Sequence, residues 1–215
     1  MMGEVFAIVN HLFYRMFGNV GKTRKADNMG RQVLVSDNDL TQKLTQVFRE
    51  SGFDGTSLAA LAEASGLKKA SLYHRFPGGK EQMASEVLSA TGHSLSERMS
   101  LILQGDDTPH QRVDMVAQML NEFYSEGNQA CLLNVLSSSH VSQGAIEAEI
   151  KLIFQTLIAG IQQLIEDAGF EAELAHMRAQ RAVMLLQGSL VLSRGMGSTR
   201  PFKDFLKTLP DELLG

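Results

Sequence analysis

A chain of 215 residues with 44% hydrophobic side chains has room for one compact domain, or for a small domain joined to a larger one, and can bury a real core. No run approaches the ~20 apolar residues of a membrane helix; the single cysteine, Cys131, excludes an internal disulfide framework and any multi-cysteine metal site and fits a reducing cytoplasm. The net charge of −4 is uneven: residues 1–36 carry +3, residues 37–85 balance at 0 and residues 86–215 carry −7, so the acid lies at the far end.

Residues 1–36 read as an N-terminal extension. An apolar patch at 5–17 lacks the positive start and small-residue cleavage site of a signal peptide, and 18–36 is polar, basic and glycine-containing. Lys22, Arg24, Lys25 and Arg31 would let it act as an arm in a minor groove. A helix follows, capped by Asp37 or Asp39 and running to about residue 51, with Leu40, Leu44, Val47 and Phe48 on one stripe, Gly52 as its stop and Phe53 returning to the same core.

The stretch 57–76 is two short helical patterns broken by a glycine. Thr56 or Ser57 caps the first through its hydroxyl, Leu58, Leu61 and Ala62 share a face, Gly66 takes the positive φ of the reversal, and Leu67 and Leu72 pack back. This is the pattern of a helix-turn-helix. The second helix turns Lys68, Lys69, Ser71, Tyr73 and His74 outward, and between Gly66 and Lys80 there are four basic residues and no acidic one. Such a face suits the major groove, which admits one α-helix and is read by the side chains of its first turns. Gly79 and Lys80 then open a long helix to about residue 103, with Met83, Val87, Leu95, Met99 and Ile102 apolar; its free amides, with Lys80, make a second phosphate-contact point.

Residues 40–48, then Gly52 and Phe53, the helix-turn-helix, and residues 72–81 resemble the TetR family of transcriptional regulators over about fifty residues without a gap. The Pro77-Gly78-Gly79-Lys80 junction is one residue longer than the commonest spacing and resembles the LmrA/YxaF-like branch. The resemblance implies a DNA-binding domain over 37–85 that meets a double-stranded operator through Thr56, Ser57, Lys68, Lys69, Ala70, Ser71, Tyr73, His74 and Lys80, with Tyr73 and Lys80 on phosphates. Met29 stands about where such a protein would begin, so a start-site artefact is the other reading of the segment before it.

Beyond the long helix, Gly105 and Pro109 frame a turn, and Thr108-Pro109 starts a helix to about residue 125 that Gly127 and Asn128 stop. Residues 130–138 form a short apolar segment. Ser142 opens the longest pattern, with Ile146, Ile150, Ile153, Phe154, Leu157, Ile158, Ile161, Leu164 and Ile165 at the helical period and Gly169 as its end. Helices at 171–196 and 201–209 close the chain. Nothing alternates with period two, so the expected fold is all-α: an N-terminal three-helix helix-turn-helix DNA-binding domain and, over 86–215, a C-terminal helical ligand-binding and dimerisation domain.

Met99, Met115, Met119, Phe123, Cys131, Phe154 and Met184 are candidates to line a pocket for a small hydrophobic or aromatic effector, with ordinary core packing as the competing reading of each. Cys131 has no Lys or Arg within ten residues and reads as a buried structural thiol. The family's four-helix dimer bundle implies Met184, Leu185, Gly188, Leu192, Phe202 and Phe205 as homodimer contacts. The six histidines show neither metal spacing nor a paired nucleophile; no phosphate-cradling glycine motif occurs, and no enzyme, cofactor or metal is expected. Two functions fit: a ligand-responsive homodimeric repressor, and a protein of the same architecture that binds a lipid-like molecule without reading DNA. The carboxylate-free basic helix favours the first.

Overall fold

The computed structural model describes residues 36–137 and 144–215; the basic arm and the Ser142 start of the long apolar helix lie outside them. Among the described residues the elements are α1 (Asp37–Gly55), α2 (Leu58–Ser65), α3 (Lys69–Arg75), α4 (Gly79–Gln104), α5 (Pro109–Phe123), a 3-10 turn at Ser125–Gly127, α6 (Leu132–Ser137), α7 (Ala145–Asp167), α8 (Ala172–Met196) and α9 (Arg200–Leu214). The all-α reading holds.

α1 begins one residue earlier than its aspartates suggest: Ser36 Oγ accepts from Asp39 N at 3.1 Å, leaving Asp37 and Asp39 in the first turn, where the positive end of the helix favours them. Gly52, at φ 67° and ψ −177°, breaks the helix where its stop was expected, and the extra turn beyond it stacks Phe53 on Phe48 with ring centroids 6.3 Å apart. Leu40, Leu44, Phe48, Leu61, Leu72, Phe76 and Met83 close the small core around them. At 8 and 7 residues, α2 and α3 are too short to persist alone in water. Burial of large side chains, each contributing about 1.5–3 kcal/mol, keeps them folded.

The 26 residues of α4 leave this unit and run through the second half, packed on both α1 and α7. α7 packs on α8, and α8 on α9, which also lies against α5. Thr108 and Gln111 form a reciprocal capping box at the head of α5, with Pro109 at its first position. α9 is longer than expected, continuing through Pro210 to Leu214. Two contacts hold that last stretch: Leu213 is fully buried, and the Arg178 guanidinium donates to the carbonyls of Leu213 (2.9 Å) and Gly215 (2.6 Å). At Gly127 the chain passes so close to Phe202 that a Cβ would lie 2.8 Å from the ring, so only glycine fits.

Candidate nucleic-acid interface

The helix-turn-helix forms as its sequence directs. Ser57 Oγ accepts from Ala60 N at 3.1 Å and caps α2; Gly66 takes a left-handed φ of 71°, and Leu67 N closes on Ala62 O. The turn delivers Lys68 as the residue before α3, whose inner side carries the buried Leu72, followed by Phe76. Lys68, Lys69, Ala70, Ser71, Tyr73 and His74 are all exposed, and Ser57 lies exposed at the head of α2. Neither Lys68 nor Lys69 has an ion-pair partner among the described residues. Arg75 has another role: it pairs with Asp37 at 2.8 Å and lies 5.4 Å from the centroid of the Phe76 ring, tying the end of α3 to the start of α1.

Two residues expected on DNA are corrections. Thr56 is only 2% exposed, and its hydroxyl donates to Gly52 O across the broken end of α1. Lys80 points inward: its Nζ donates to Phe53 O (2.8 Å) and Thr56 O (3.0 Å) and sits 4.3 Å from the centre of the Phe53 ring. The C-terminal turn of α1 leaves the Phe53 and Thr56 carbonyls without a full set of helical partners, and the Lys80 ammonium on the neighbouring helix meets them.

The methionine-lined pocket does not assemble. Met99 and Met119 are spent in the core, Phe154 is half-buried against it, and Met115 and Met184 face solvent. Phe123 lines a cleft with α1 residues, while buried Cys131, which accepts from Tyr124 Oη at 3.6 Å, borders a separate small recess. Burial pushes the Tyr124 phenol well above its ordinary range, with the Cys131 thiol beside it adding to the rise.

The dimer candidates divide. Phe202 and Phe205 are corrections, buried within the chain, with Phe202 edge-on to Tyr124 at 5.9 Å. Met184, Leu185, Gly188 and Leu192 lie on an exposed stripe of α8 that continues through Met177, Val191 and Met196; Met184 is 66% exposed, and the space above Gly188 is open. A contiguous apolar stripe of this kind is uncommon on a surface without a partner.

Two charged residues were missed, both inside apolar stripes. Glu149, one position before Ile150 on α7, is buried against α4; Oε1 accepts from Ser85 Oγ at 2.7 Å and Oε2 has no partner. Burial raises its carboxyl to about 7, against a smaller opposing effect of the Ser85 bond. Arg49, next to Phe48 on α1, has its Nε buried without a partner.

A helix-turn-helix with unpaired lysines at the head of its exposed second helix, carried on a larger helical body, defines a DNA-binding regulator. Residues 41–87 match the family model for bacterial regulatory proteins of the tetR family, and residues 109–208 match that of the C-terminal domain of LmrA/YxaF-like transcriptional regulators. The chain is 25% identical over 175 residues to the uncharacterized HTH-type transcriptional regulator YxaF of Bacillus subtilis, spanning 74% of this chain and 87% of YxaF. It is 23% identical over 177 residues to the HTH-type transcriptional regulator LmrA of the same organism, spanning 79% of this chain and 92% of LmrA. The crystal structure of a TetR transcriptional regulator from Legionella pneumophila superposes with a TM-score of 0.75 at 19% identity, covering 84% of this chain and 99% of that one. The chain belongs to the TetR family of transcriptional regulators, and its second half is of the LmrA/YxaF-like type. No helix among the described residues is long and apolar enough to cross a membrane.

Proposed function

We propose that this regulator is a homodimeric repressor that reads an operator through α3 and is released from it by a small-molecule effector. Lys68, Lys69, Ala70, Ser71, Tyr73 and His74 face the major groove, with Tyr73 and the Ser57 end of α2 against the flanking phosphates. The supporting observation is the pair of exposed lysines without acidic partners at the start of α3. Unneutralised cations there have no structural task, whereas phosphate or a base edge gives them one.

The exposed stripe of α8 supports a two-fold dimer, which sets two copies of α3 against half-sites about one helical turn or a multiple apart. α4 supplies the route for release, because it packs against both α1 and α7. An effector that favours one position of α4 changes the separation of the two α3 helices and so the affinity for the operator. A genome-wide map of bound DNA, made with the intact chain and with a Lys68→Ala/Lys69→Ala variant, tests the reading. Discrete peaks sharing an inverted repeat, lost in the variant, support it; no discrete peaks with the intact chain refute it in favour of a binding protein that does not read DNA.

A further inference from the structure

Arg49 is a half-buried charge whose polar groups are only partly satisfied. Its guanidinium donates to the Gln129 side-chain oxygen and lies 5.6 Å from the centroid of Phe123, while Nε is buried with no partner. No carboxylate pairs with it among the described residues. Burial lowers its pKa, but a guanidinium remains charged. A partly desolvated cation without a counterion is costly, and proteins ordinarily pair such groups.

Arg49 opens onto a cleft of about 430 Å³ between α1, the 127–130 segment and the turn from α8 to α9. Arg194, on the last turn of α8, stands in the same cleft and also lacks an acidic partner among the described residues. Thr199, the residue before α9, lines it too, so the positive end of a 15-residue helix opens there. The one acidic residue in the lining is Glu50, which accepts from Gln46 on its own helix. The cleft therefore carries an excess of positive charge, has the volume of a small-molecule site, and is walled on one side by the DNA-binding unit and on the other by the helical body.

We propose that this cleft binds a small organic oxyanion, a carboxylate or a phosphate ester, clamped between Arg49 and Arg194. The exposed Arg194 guanidinium can take either oxyanion in bidentate fashion, and Arg49 adds the N–H groups not spent on Gln129. Occupancy neutralises Arg49 and links α1 to the α8–α9 turn, which fixes the DNA-binding unit relative to the rest of the chain. The inference deepens the effector reading above and rests on it for its regulatory meaning: the effector is a polar anion held at the domain junction, not an apolar molecule among the methionines.

The test is calorimetric titration and thermal unfolding of the full chain without DNA, using citrate, succinate, glucose 6-phosphate and inorganic phosphate against chloride at matched ionic strength. At least one oxyanion should bind saturably and raise the melting temperature where chloride does not, and which of them does so separates carboxylate from phosphate. Arg194→Gln, at an exposed position, and Arg49→Gln should each weaken that binding at least tenfold. No oxyanion exceeding chloride, or wild-type affinity in Arg194→Gln, overturns the site. Because no DNA is present, that result leaves the DNA-binding reading standing, whereas loss of operator binding by the intact chain would overturn that reading and not the site.

Discussion

Replacing Lys80 by Met keeps most of the side chain's length and removes its charge, which separates two roles for this residue. In the structure the ammonium donates to Phe53 O and Thr56 O and lies over the Phe53 ring. A hydrogen bond from a charged group contributes about 1.5–3 kcal/mol when well shielded, and a cation–π contact about 0.5–1 kcal/mol. Lys80 is half-buried, so the combined loss belongs at the low end, about 2–3 kcal/mol. For a chain of this size each kcal/mol moves the midpoint by about 2–4 °C, so Lys80→Met should melt about 5–10 °C below wild type by circular dichroism. Its salt dependence of DNA binding, measured at a temperature where it is folded, should match wild type. The reasoning fails if Lys80→Met melts with wild type while the salt slope falls by about one unit, because the ammonium would then be serving a phosphate.

Lys69→Ala should bring operator and scrambled duplexes closer in affinity by about 1–3 kcal/mol in a fluorescence titration; equal weakening on both would make Lys69 a positioning contact. Glu149, with an ordinary carboxyl value of 4.5 and a folded one of about 7, should make stability fall as pH rises from about 4.5 to 7 and level off above, by on the order of 3 kcal/mol. The sign follows because the folded state holds the proton longer. Glu149→Gln should flatten denaturant-measured stability between pH 5 and pH 8, and an unchanged slope there would place the titrating group elsewhere. In sedimentation at micromolar concentration, wild type should run as a dimer and Leu192→Glu as a folded monomer; a variant that remains dimeric would remove α8 from the interface.

The helix-turn-helix was legible because its determinants are local. A cap at Ser57, a left-handed Gly66 and buried leucines at helical spacing suffice to place Lys68 and Lys69 outside. The destinations of long side chains were not legible. Lys80 reads as a phosphate contact until the end of α1 is seen to set the Phe53 and Thr56 carbonyls beside it, and nothing singles out Arg49 until α1 meets the 127–130 segment. Phe202 and Phe205 are implied as interface residues by the resemblance, which does not say which body buries them; Phe202 packs on Tyr124 and Gly127 of the same chain, and Phe205 is buried beside Phe202. The sequence reading ends α9 at 209, and the extension to Leu214 is not local: the Arg178 contacts that hold the last carbonyls come from a residue far away in sequence.

Selection from a pool of randomised duplexes, using the intact chain at near-physiological salt, tests most directly that α3 reads DNA. The account predicts enrichment of an inverted repeat whose half-sites lie on one face of the duplex, with enrichment abolished by Lys68→Ala/Lys69→Ala. A pool that remains random, or a motif that the double variant enriches equally well, would contradict it.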